Sequence, residues 1–142
     1  MKRISFKGAI LGSITDIVAT NILAIPLIVY VTATRHLVSV PKEQLTEVLL
    51  QTIQNDPLLY STQLLVGSSC SILGGYVAAR IAKHDEVLNG ALAAFLCVGS
   101  GLYALVFASS HAPLWQHLVG FIASPALAAF GGYLRLKTMQ AN

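Results

Sequence analysis

Four long apolar runs decide most of what this chain can become. They cover residues 8–33, 58–82, 88–109 and 112–136, and charged side chains are nearly missing from all of them. An apolar stretch of about 18 residues or more is long enough to cross a bilayer as a helix. Only 11% of the 142 residues are charged, against about 25% in an ordinary soluble domain. Little chain is left for a separate soluble catalytic domain. The expected fold is therefore all-α: a single transmembrane domain over residues 1–142, built as a bundle of four transmembrane helices plus one short amphipathic interfacial helix.

The first run has some features of a secretory signal, with "MKRISFK" ahead of it and "VTA" at its end. It outlasts the roughly 7–15 residues of a signal's apolar region, and Asp16 and Asn21 interrupt it. An uncleaved first helix is the expectation.

Lysine and arginine collect on the cytoplasmic side of membrane proteins. Threading the four spans puts Lys2, Arg3, Lys7, Arg80, Lys83, Arg135 and Lys137 on one face, and Arg35 and Lys42 on the other. Both termini are then cytoplasmic, and the expected location is the bacterial inner membrane. Tyr30, Tyr60 and Trp115 fall at outer helix ends, with Tyr76 and Tyr133 near inner ends, where amphipathic rings prefer the headgroup zone. The net charge of +3 follows from this topology. With no basic patch carrying interleaved aromatics, nucleic acid is not an expected partner. The connection "SSHAP" is so short that helices three and four should be antiparallel neighbours.

The first outer connection is the long one. In "VPKEQLTEVLLQTIQNDP", Pro41 suits a first helical position and Asn55-Asp56-Pro57 a stop. Leu45, Val48, Leu49, Thr52 and Ile53 recur at helical spacing, which predicts an amphipathic helix over about 41–54, too short to cross. Lying at the outer interface, it would serve as a lid on the bundle or as a docking surface.

Small residues recur every four positions. The ridges are Gly67, Ser71, Gly75, Ala79 in the second span and Gly120, Ser124, Ala128, Gly132 in the fourth. The first span carries Gly8, Gly12, Asp16, Thr20 and Ala24. Such faces let membrane helices approach closely, so Gly8, Gly12, Gly67, Gly75, Gly120 and Gly132 are candidate packing positions. "LGGYVAARIAK" and "AFGGYLRLK" end the second and fourth spans, and "FKGAILGS" and "VLNGALAAF" begin the first and third. Either two tandem hairpins or the ordinary recurrence of small residues in a bundle accounts for these likenesses.

Asp16 is the costly residue. It lies on the small, polar face of its helix, flanked by Ser13 and Asn21, so it should point into the bundle. Counting from Lys7 puts it about 14 Å deep at roughly 1.5 Å per residue, near the middle of a core about 30 Å thick. The same depth falls at Cys70/Ser71, at Cys97 and at Ser124/Pro125, and no lysine, arginine or histidine occupies that layer. An unpaired buried carboxylate is prohibitive, so Asp16 should take up a proton or meet a cation or water. Three readings stay open. The acid is neutral and hydrogen-bonds a serine or a carbonyl freed by Pro26 or Pro125; or it is a proton or cation site; or it meets a basic residue of another subunit. Asp16, Thr20, Asn21, Ser71 and Ser124 are the candidate polar site. Cys70 and Cys97 read as small buried thiols.

"GGYVAARIAKHDEVLNGALAA" resembles the GGY-x-A-x-R-x-A…NG pattern of a family of small four-helix bacterial inner-membrane proteins of uncharacterised function. The resemblance covers about twenty residues and implies location more than activity. "GAILGSITDIVAT" is similar to the first helix of small multidrug resistance transporters. That second resemblance implies an oligomer in which Asp16 would be the shared proton and cationic-drug site. Asp16 lies about two residues later than that pattern places it, the outer loop is longer, and the third helix offers mainly Phe95, Tyr103 and Phe107 in place of an aromatic-rich face.

Little points to an enzyme. His84, Asp85 and Glu86 share an inner turn, whereas His111 and His117 fall at outer helix ends, so these groups do not converge on a metal. The "GGY" and "GSG" triplets lack the strand-to-helix turn of a phosphate loop. No nucleophile has a positioned base and orienter. The expectation is a non-enzymatic accessory or self-associating membrane subunit, with no cofactor, whose partners are the bilayer and a larger membrane complex or further copies of itself. The alternative is a small proton- or cation-coupled transporter using Asp16.

Overall fold

Residues 4–107 and 114–141 are described by a computed structural model. Among them every regular element is helical: α1 (Phe6–Thr34), a short 3-10 turn (Leu37–Ser39), α2 (Lys42–Asn55), α3 (Pro57–Ala82), α4 (Glu86–Leu92), α5 (Phe95–Phe107) and α6 (Leu114–Gln140). Among the described residues, four segments are long and apolar enough to cross a membrane: Phe6–Thr34, Pro57–Ala82, Glu86–Tyr103 and Leu118–Gln140. Lys2, Arg3, the "SSHAP" connection and His111 lie outside the described residues.

The third span departs from the sequence expectation of one helix over 88–109. It breaks at Ala93–Ala94, between α4 and α5. There the amide of Ala93 bonds the carbonyl of Gly90 at 3.0 Å and that of Ala94 bonds Ala91 at 3.2 Å. This three-residue reach is tighter than the α-helical four. The four-residue pattern resumes with Val98 on Ala94 at 2.9 Å. At the break, the carbonyl of Ala93 accepts the hydroxyl of Ser13 from α1. A side-chain donor thus serves backbone at the interruption, as a buried break in a helix requires.

The contacts among the described residues gather into two units. One combines the chain up to Val18 with the chain from Ser68 onward, and the other is Ala19–Gly67.

In the Ala19–Gly67 unit, the apolar face expected of the amphipathic helix is used internally. Val31, Leu37, Ile53 and Leu59 form a buried cluster, joined by Leu27, Val40, Leu45, Val48 and Leu49. Burying one such side chain contributes about 1.5–3 kcal/mol, so α2 is held on this unit by several of them. Pro41 takes the N-cap position of α2 and not its first helical position. The chain leaves α1 through His36, whose φ of 53° is left-handed.

The other unit is organised by small residues. Down the antiparallel pair α1 and α3, Gly8 meets the carbonyl of Ala78, and Gly12 meets Gly74 and Ala78. A Cβ on Gly12 would lie 2.6 Å from the Gly74 carbonyl oxygen and 2.9 Å from the Cβ of Ala93. The two adjacent glycines of α3 serve different neighbours. Gly74 faces α1, and Gly75 abuts the backbone of Ala128 in α6. The doublet in α6 does likewise: Gly131 abuts Ile72 of α3, and Gly132 abuts Glu86 of α4. Successive helical residues point about 100° apart, so a glycine doublet opens two sides of a helix at once.

Two of the expected packing positions meet no neighbour among the described residues: around both Gly67 and Gly120 a Cβ would find nothing within 4 Å there. A strict four-residue ridge drifts round a 3.6-residue helix by about 40° per step, so Gly67 is turned about 80° from Gly75 and Gly120 about 120° from Gly132.

Candidate functional site

Ser13 and Asp16 are both buried on α1, with 1% and 4% of their surface exposed. Their depth follows from the glycines around them. Gly12 lets α3 and Ala93 come close, and Gly74 admits Asp16 itself, since a Cβ there would stand 2.9 Å from the Asp16 Cβ. Bulk at either position would push the acid away from the helices that partner it.

One carboxylate oxygen of Asp16 accepts two hydrogen bonds. The Ser71 hydroxyl of α3 donates to Oδ2 at 3.1 Å, and the Cys97 thiol of α5 donates to the same atom at 3.3 Å. Two helices therefore converge on this acid with neutral donors. Three residues before Asp16, the Ser13 hydroxyl also contacts the carbonyl of Ala9 at 2.9 Å, while meeting Ala93 at the helix break. Acid, thiol and broken backbone thus occupy one small region. Such an arrangement is suited to holding a proton or a charge away from water.

Ser71 reaches Asp16, but no described hydrogen bond joins Ser124 to it. Thr20 is half-buried and Asn21 exposed; both fall in the Ala19–Gly67 unit. Cys97 carries more than the expected role of a small buried thiol, because it donates to the acid. Cys70 is buried at 1% exposure. Ser13 and Gly74 were missed as site positions, and the doubled glycine was the available signal.

At the turn between α3 and α4, Asn89 is the residue the sequence did not announce. It is fully buried. Its Nδ2 donates to the carbonyls of His84 at 2.8 Å and Asp85 at 3.1 Å, and its Oδ1 accepts the amide of Ser5 at 2.8 Å. Lys83 and Asp85 hold left-handed backbone, at φ 60° and 44°. His84 and Asp85 are exposed, and no group of three metal-ligating side chains occurs among the described residues.

Comparison of the chain with protein-family models, with curated proteins and with solved structures gave no match.

Proposed function

We propose that the chain is a multi-pass protein of the bacterial inner membrane, with both ends cytoplasmic, acting without catalysis as an accessory or self-associating subunit. The observation that carries this reading is the outer surface of α1. Only 6% of its most apolar window is buried. Ile10, Ile14, Val18, Ile22, Ile25 and Val29 stand exposed along its length. A stripe this long needs acyl chains or another membrane helix as its neighbour. The glycine faces supply the internal packing and leave that stripe for the bilayer, a larger membrane complex or a second copy.

Purification in a gentle detergent tests the proposal. A stable larger membrane partner, or a defined homo-oligomer, is the expected companion. A monodisperse monomer with no companion would overturn the subunit reading.

A second reading, a proton- or cation-coupled carrier, is favoured by the buried acid beside an interrupted helix. Broken helices and intramembrane acids mark ion and substrate sites in transporters. On this reading the purified protein binds a lipophilic cation and releases protons, and Asp16→Asn abolishes both. Cation binding by the variant at wild-type strength would sink it. The resemblance to small multidrug resistance transporters points to this reading; the one to small four-helix inner-membrane proteins points to the first.

A further inference from the structure

We propose that Arg35 and Asp56 form a binding site for the zwitterionic phosphate–ammonium headgroup of a phospholipid, an inference that rests on the membrane reading above. Asp56 joins α2 to α3 and divides its two oxygens. Oδ1 accepts the amides of Leu58 at 3.0 Å and Leu59 at 3.3 Å, capping α3. Oδ2 meets Nη2 of Arg35 at 2.7 Å.

With Oδ1 held by the helix start, the carboxylate does not grip the guanidinium as a fork. A guanidinium carries five N–H donors. Asp56 is the partner of Arg35 among the described hydrogen bonds, and the arginine side chain is 53% exposed. An exposed ion pair of this kind contributes little to the fold, and the exposed guanidinium keeps donors open to a ligand.

Two clefts flank the pair. The larger, about 550 Å³, is lined by Arg35, Leu37, Thr52, Asn55, Asp56 and Pro57. The smaller, about 210 Å³, lies between Tyr30 and Thr34 of α1 and Leu58 and Leu59 of α3, again with Arg35 and Asp56 in its wall. Both mix polar and apolar side chains: Leu37, Thr52, Asn55 and Pro57 stand beside the pair in the first, and Tyr30, Thr34, Leu58 and Leu59 in the second. Tyr30 and Leu58 are exposed by 59% and 75% there, at the ends of two candidate spans.

This juxtaposition matches an interfacial lipid group by group. The phosphate takes the free side of the guanidinium, which binds such oxyanions in pairs. The ammonium meets Asp56, and the chain near the glycerol lies along Tyr30 and Leu58. Because the ion pair is neutral overall, a neutral zwitterion fits it charge for charge. An anionic headgroup would leave Asp56 without its cation.

The test uses the full chain in detergent micelles, with lipid retention read by native mass spectrometry and unfolding by circular dichroism. Phosphatidylethanolamine should be retained over phosphatidylglycerol and should raise the melting temperature. Inorganic phosphate alone should do neither. Arg35→Lys keeps a cation beside Asp56 but removes the fork. It should lower phosphatidylethanolamine occupancy by about tenfold, the factor expected for one net hydrogen bond. Equal retention of the two lipids by the wild-type chain overturns the proposal without any variant. Stabilisation by inorganic phosphate overturns the lipid source. Alkaline washing of membranes separates the two levels: release of the protein defeats the membrane reading itself, whereas firm retention with no lipid preference defeats the headgroup site alone.

Discussion

Gly74 faces Asp16 across the contact of α3 with α1, so closely that a methyl group on the glycine would stand 2.9 Å from the Cβ of the acid. The depth of the one buried acid of α1 is therefore set by a residue with no side chain. Gly74→Ala should separate the two helices at that level and cost about 1–3 kcal/mol through overpacking. Thermal unfolding in detergent measures the loss. Gly67→Ala, in open space within the same helix, is the matched control and should melt at or slightly above the wild type, since alanine is the better helix former.

Asp16→Asn retains a carbonyl oxygen that accepts from both Ser71 and Cys97, so membrane insertion and melting temperature should stay near those of the wild type. Asp16→Ala leaves both donors without that acceptor, at a cost of about 1–3 kcal/mol. Should the asparagine variant vanish from the membrane fraction, a neutral acid is ruled out.

Ser13→Ala withdraws the donor that reaches the Ala93 carbonyl. A buried carbonyl left unpaired costs about 1–3 kcal/mol. Faster amide exchange should then appear around Ala93–Ala94, with α3 protected as before. Unchanged exchange at the break would show that the serine is not what satisfies it.

Asn89→Ala removes the clamp between Ser5 and the turn at His84–Asp85, at about 1–3 kcal/mol for each group left unpaired. Asn89→Asp keeps an acceptor for Ser5 but loses both donated bonds, so it should recover only part of the stability. Comparing the two melting temperatures checks the division.

The span lengths were legible because apolar runs have sharp ends. The α1 helix covers 6–34 where 8–33 was expected, and α3 covers 57–82 against 58–82. The amphipathic helix was equally readable, since Leu45, Val48, Leu49 and Ile53 announce one face by their spacing. The break at Ala93–Ala94 was not readable: alanine is the best helix former, and the interruption is sustained by a serine eighty residues away in sequence. For the site, a depth count from Lys7 named Ser71 and Cys97 but also Ser124, because depth says nothing of which way a side chain points. Helical drift likewise separated Gly67 and Gly120 from the ridges they seemed to continue.

The glycine doublets restrict how this molecule could ever move. A helix flanked closely on one side can roll against its neighbour, but α3 is keyed on two sides by Gly74 and Gly75, and α6 by Gly131 and Gly132. Turning either about its own axis would drive backbone into backbone. Rolling of α3, which carries the Ser71 hydroxyl, is blocked in this way, so the acid keeps that donor at a fixed bearing.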